Sequence, residues 1–332
     1  MTAPQPAVVV LAGGHESDGG RDLAGLVTPL HGAPAGHGPL VHAAAPAGRP
    51  LAEAVRSALA GWEDAPVCVV PMTLGRDPKL VADTARALHW LAAGEGRGRL
   101  ALTAPFGAAE HLIGWLRAAA GSASGTSVAT TSATPTFATP TSATPTSATT
   151  APADSGEAIL VTAPAAGPFE DAELFRIARL VRQHGRHRLV EVAFAGGDPG
   201  PAEGVERCRL LGADRITAVP ASFGPALPEG LRDLGLRDGG LRDGGPLLRP
   251  SAITGVVAAR TAAALHLLGH GEDGILAGLD AEHGHGYAHS HGPGEDHHGR
   301  HGHGHGHHDG HHHSSSHLHT PTPSSTPAHA PH

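Results

Sequence analysis

Two groups of residues in this chain have types and spacings that can do chemistry. The first centres on His15, in AGGHES at residues 12–17, directly behind the apolar run AVVVLA and flanked by Gly13, Gly14, Glu16 and Ser17. An imidazole in that place can ligate a transition metal or accept a proton near neutral pH, and it is equally compatible with a solvated histidine beside a turn. The second group is HGRHGHGHGHHDGHHH at residues 298–313. Its His301, His303, His305, His307, His308, His311, His312 and His313 offer imidazoles at short intervals on a glycine-rich backbone, which can wrap around a divalent ion without a preformed site. Imidazole suits nickel, copper, cobalt or zinc, not magnesium or calcium.

A basic group lies between these two. In PMTLGRDPKL, residues 71–80, Arg76 and Lys79 can hold an acidic ligand, while Asp77 before Pro78 is a good helix start and is expected to cap it. His111, in AEHLIGWLRAA, falls in the first turn of an expected helix, facing either a cleft or solvent. Cys68 and Cys208 have no CxxC partner and read as small apolar core residues.

Elements must carry these groups to one place. Residues 6–120 and 157–270 have globular composition, and each half opens on a short, nearly continuous apolar run, AVVVLAGG and AILVTAPA. Such runs suit parallel strands buried on both faces. Each half continues with a helical stretch and a second apolar run ending in proline, Pro71 and Pro220. The expected strands are 7–12, 66–71, 99–103, 158–163, 189–194 and 215–219. Strand–helix–strand alternation implies right-handed βαβ units, hence an α/β protein of two duplicated domains, each a small parallel sheet flanked by helices. In such sheets ligands bind beyond the carboxyl ends of the strands, where His15 and residues 71–80 fall. The second half has neither a histidine at the place of His15 nor an Arg-Asp-Pro-Lys, so the first half is expected to supply most of a site.

The rest of the chain reads differently. Residues 121–156 are a Ser/Thr/Ala/Pro repeat that cannot bury enough apolar surface to offset its ordering entropy, and they are expected to be a disordered linker. The repeat LRDLG-LRDGG-LRDGG over 231–245 reads as a loop insertion. Residues 271–332 form the histidine-rich tail, expected to be disordered; 18 of the chain's 28 histidines lie at or beyond His283, which makes the tail the main imidazole reservoir. A net charge of −8 argues against a general nucleic-acid partner. Two cysteines make no disulfide framework, and the short apolar N-terminal run lacks a basic flank. A cytoplasmic protein without a membrane partner is expected.

Several of these segments together resemble one family. VVVLAGGHES is similar to a strand ending in the Gly-His-Gly-Ser-Arg pattern of the CbiX-type sirohydrochlorin chelatases, the class II chelatases that insert cobalt into a tetrapyrrole. VCVVPMTLGRDPKLVADTARAL resembles the family's next strand, and RLVEVAFAGGDPGPAEGVERCRLLGADRITAVP resembles its second-half run. The resemblance spans most of residues 6–225. It implies two chelatase-type domains facing each other across a cleft, with metal held by histidines at strand ends. His15 matches the first of these. Asp83 matches the Asp that follows the second family histidine, but Lys79 stands in that histidine's place.

The resemblance therefore implies His15 and Lys79 as catalytic residues. His15 is the transient ligand and proton acceptor. Lys79, a poor metal ligand while protonated, can bind a substrate carboxylate instead. Arg76 and Arg21 would orient the polycarboxylate tetrapyrrole. The implied metal substrate is cobalt, with nickel, zinc or ferrous iron also fitting the ligand chemistry. A histidine-rich segment accompanies some family members. The departure at Lys79 leaves a second reading, a non-catalytic metal-binding or metallochaperone protein on a chelatase scaffold.

Overall fold

A computed structural model of the protein describes residues 7–27, 40–123, 156–225, 227 and 240–282. Most of the expected linker and the histidines from His283 onward, including His301, His303, His305, His307, His308, His311, His312 and His313, lie outside the described residues. All described residues belong to one compact unit, 1–288.

The first half contains β1 (Val8–Gly13), β2 (Leu40–Pro46), β3 (Val67–Met72) and β4 (Leu100–Leu102), with helices α1 (Arg49–Gly61), α2 (Pro78–Ala93) and α3 (Ala109–Ala123). The second contains β5 (Glu157–Pro164), β6 (Leu189–Ala195), β7 (Arg215–Pro220) and β8 (Leu241–Asp243), with α4 (Pro168–His184), α5 (Pro201–Leu210), α6 (Pro250–Gly269) and the short α7 (Ile275–Leu279). Every strand pair is parallel. The strand orders are β2-β1-β3-β4 and β6-β5-β7-β8, the same order twice. This is the duplicated α/β architecture expected from the two apolar openings.

The central strands follow from their sequences. VVVLAG and VCVVPM are buried at every residue because helices cover both faces of a parallel sheet. Pro71 and Pro220 cannot donate to a ladder, and each stands two residues beyond the last residue paired to the outer strand, Val69 and Ala218. On α4, Leu174, Ile177, Ala178 and Val181 form the buried face that the helical period predicts. Cys68 and Cys208 are buried, and burial pushes both thiols up to about 12.

Two strands and one helix differ from the expectation. α7 lies within 271–332, expected to be a disordered tail, and is folded because Ile275 is buried in one apolar cluster with Ala85 and Leu88 of α2. β2, LVHAAAP, is an edge strand of alanines and a histidine, too weakly apolar to stand out. β8 lies inside the 231–245 stretch expected as a loop; one LRD of the repeat pairs with β7, and its Leu241 alone is buried.

The two halves are interlocked. α3 packs on β7 and α4 of the second half, while α6 packs on β3 and β4 of the first and α7 lies on α2. A single apolar core runs from Val9, Leu11 and Val70 to Ile159, Val161 and Val219. By length and composition α6 could cross a membrane, the one such helix among the described residues; its Ile253, Val257 and Ala264 side is buried in that shared core.

Candidate functional site

β1 and β3 are neighbours in register, with Gly13 opposite Met72, so the loops that leave them lie side by side. The first loop begins with Gly14 and continues as a 3-10 segment, His15–Leu26, kinked where Asp18, Gly19 and Gly20 adopt positive φ. The second runs from Thr73 to Asp77 and enters α2 at Pro78. The dipeptides His15-Glu16 and Arg76-Asp77 meet across these loops in crossed pairs.

His15 Nδ1 lies 2.9 Å from Asp77 Oδ2. The other oxygen, Asp77 Oδ1, accepts from Leu80 N at 2.8 Å, the N-cap bond expected from Asp-Pro. Gly14 makes room for the pair: a Cβ there would stand 2.3 Å from Asp77 Oδ2. Burial alone would raise the Asp77 carboxyl, but the hydrogen bond and charge of His15 and the Leu80 N–H outweigh it, holding the carboxyl below its ordinary value. His15 Nε2 is out of solvent and has no hydrogen-bond partner among the described residues.

Glu16 and Arg76 form the second pair. Both side chains are essentially fully buried, with Arg76 Nε 3.5 Å from Glu16 Oε1. Glu16 Oε2 accepts from Thr73 Oγ1 at 2.5 Å and Leu74 N at 2.8 Å. The same Thr73 hydroxyl accepts from Gly75 N and Asp77 N, which shapes the turn that delivers Asp77. Gly75, at φ +109°, has its Cα against the Ala108–Ala109 backbone, where a Cβ would stand 2.3 Å from Ala109 N.

This network also ties the first half to the second. Arg76 Nη1 donates to Glu170 O in the first turn of α4 at 3.3 Å, and Phe223 N, past the end of β7, donates to Glu16 O at 2.8 Å. The joint between Leu74, Ser222, Phe223 and Leu247 leaves only about 10 Å³, no more than one water. A larger hollow lies between the end of α2 and α7, beside His89 and Leu276. At 1.5 Å per residue along α2 it is roughly 18 Å from Asp77, too far to belong to the His15 site.

The other expected site residues fall elsewhere. Lys79 is exposed in the first turn of α2 and pairs with Asp83 one turn on, which Arg86 also contacts. Arg21 is exposed and pairs with Asp18 at 2.7 Å. Arg76 corrects an expectation: with no exposed side-chain surface it cannot reach a substrate, and its charge is used inside the fold. His111 Nδ1 accepts from Ala108 N at 3.1 Å and its ring stacks on Trp115, so it caps the start of α3. Among the described residues no three His, Cys, Asp or Glu side chains converge as a metal-ligand group. Sequence reasoning missed Asp77 as the partner of His15, and Glu16 and Thr73 as its supports. The available signal was that both dipeptides directly follow neighbouring parallel strands.

No protein-family model and no curated protein sequence matches the chain. Among solved structures, a multi-domain protein of Deinococcus radiodurans with structural similarity to chelatases is 19% identical, with a TM-score of 0.43. That alignment covers 81% of this chain and 60% of the other, so this chain spans only part of that protein's length. SirB from Bacillus subtilis with Fe3+ is 11% identical, with a TM-score of 0.46, covering 82% of this chain and 99% of that one. The sirohydrochlorin chelatase SirB of Bacillus subtilis subspecies spizizenii in complex with cobalt is 10% identical, with a TM-score of 0.43 and the same coverage.

Proposed function

We propose that this chain is a metal chelatase that inserts a divalent metal, cobalt first among the candidates, into sirohydrochlorin in cobalamin biosynthesis. The observation that carries the reading is His15: one ring nitrogen is held by Asp77 and the other is unpartnered, at the carboxyl ends of two central parallel strands. The resemblance of residues 6–225 to the CbiX-type chelatases points to the same residue.

Insertion replaces two pyrrole N–H protons by one divalent ion. Once the docking macrocycle has uncovered His15 Nε2, which is out of solvent in this structure, that nitrogen takes the two pyrrole protons in turn and hands each to water, and the Asp77 carboxylate beside Nδ1 stabilises the imidazolium formed each time. Before it takes a proton, the same lone pair contacts the incoming metal transiently and releases it to the macrocycle. Lys79 and Arg21, both exposed, hold carboxylates of the macrocycle. The histidines of the tail, His301 to His313 among them, collect the metal and raise its local concentration by tethering. The chain works in the cytoplasm, where its two thiols stay reduced.

One observation favours the alternative, a metal reservoir on a chelatase scaffold: Lys79 replaces the second family histidine and pairs with Asp83. Removing residues 283–332 separates the two. A chelatase keeps its insertion rate at saturating cobalt and loses rate only when cobalt is scarce. Loss of cobalt binding, with no insertion by either form, would establish the reservoir.

A further inference from the structure

We propose that Asp77 is a positioning residue that fixes His15 in the Nδ1–H tautomer, so that the Nε2 lone pair is the reactive one. The functional consequence rests on the reading of His15 as the reactive group; the tautomer itself does not.

The geometry leaves His15 little choice. Asp77 Oδ2, 2.9 Å from Nδ1, belongs to a carboxylate that has no hydrogen to give, so in neutral His15 Nδ1 is the donor. Asp77 cannot turn away, because Oδ1 accepts from Leu80 N and its own N–H donates to Thr73 Oγ1. The histidine loop cannot turn away either, because the next residue, Glu16, is tied to Arg76, Thr73 and Leu74 and its carbonyl to Phe223. Nε2, the remaining ring nitrogen, has no partner among the described residues. A histidine held by a carboxylate at one nitrogen and unpartnered at the other has its tautomer and ring plane set by that carboxylate.

The helix cap makes this testable with one isosteric change. In Asp77→Asn the side-chain oxygen is needed by Leu80 N, since only an acceptor can cap there. The amide nitrogen then occupies the place of Oδ2 and donates to His15 Nδ1. Neutral His15 is forced into the Nε2–H form and its lone pair is turned inward. The cap survives while the reactive lone pair is lost, and the backbone N–H of His15 loses the carboxylate it also donates to.

The test uses full-length protein labelled with nitrogen-15 in its histidines, at pH 8.5, where imidazoles are neutral. His15 is assigned by its absence from His15→Gln. The expected result is a protonated Nδ1 in the wild type and a protonated Nε2 in Asp77→Asn, with both proteins melting cooperatively and the cobalt insertion rate of the variant down by about 10²–10⁴-fold. Asp77→Ala, which loses the cap as well, should lose both rate and melting temperature. The same tautomer in wild type and Asp77→Asn would overturn the proposal. A switched tautomer in a chain whose wild type inserts no metal would uphold the positioning role and overturn the chelatase reading instead.

Discussion

His15 and Asp77 belong to different loops, yet His15 Nδ1 lies 2.9 Å from Asp77 Oδ2, and the residues next to them, Glu16 and Arg76, pair as well. The crossed pairing makes the two loops one rigid unit at the ends of β1 and β3. A loop pair built this way holds the His15 ring in place before any ligand arrives.

The Glu16–Arg76 pair should matter for stability more than for substrate affinity. Removing one partner leaves a buried charge uncompensated, at a cost of about 3–5 kcal/mol. Arg76→Ala is therefore expected to lower unfolding free energy by that order in a denaturant titration. Glu16→Gln with Arg76→Met, which removes both charges, should recover much of the loss. A fully stable Arg76→Ala with weakened tetrapyrrole binding would show that Arg76 does face the substrate.

Lys79 should behave in the opposite way. Its pair with Asp83 is exposed and lies on one helix face, so Lys79→Ala should change stability by no more than about 0.5 kcal/mol. If it holds a substrate carboxylate, KM for the tetrapyrrole rises while kcat changes little. Steady-state insertion kinetics read both quantities.

His187 sets a pH limit on stability. It is buried between α4 and β6, and burial pulls its pKa below 6.5, opposed only in part by Glu157 and a hydrogen bond to the Ala120 carbonyl. The unfolded chain then binds the proton more readily than the folded one. This contribution is fully present above pH 6.5 and is lost as the pH falls through the lower folded pKa. The melting temperature of the wild type should drop more between pH 7 and pH 5 than that of His187→Gln.

The halves should not fold apart. Because α6 and α7 cover β3, β4 and α2, and α3 covers β7, residues 1–123 alone would expose the first sheet's share of the common core. That fragment should show no cooperative unfolding transition, and co-expression with residues 124–332 should restore one.

Much of this was legible in the sequence. β1 and β3 are unbroken apolar runs, β5 to β7 are mostly apolar with only Thr162, Glu191 and Thr217 inside them, and a parallel sheet buried on both faces favours that composition. His15 stood out because it follows such a run, and Asp77 read correctly as a cap because Asp-Pro has a local meaning. The exchange of α3 and α6 between halves was hidden, since which sheet an apolar helix covers is decided by distant residues. The bond from Asp77 to His15 was hidden for the same reason: a cap uses one carboxylate oxygen, and nothing nearby in the chain tells where the other points. Arg76 misled because arginine is seldom fully buried, and the Glu16 that accepts its charge is close only in the fold.

The most direct measurement is the anaerobic absorbance change when full-length protein is mixed with sirohydrochlorin and cobalt, for the wild type and for His15→Ala. The wild type should speed the shift to the cobalt–sirohydrochlorin spectrum well above the rate without protein. His15→Ala, folded as judged by its melting curve, should lose about 10²–10⁴-fold of that rate. A His15→Ala rate equal to that of the wild type, or a wild type no faster than buffer, would contradict it.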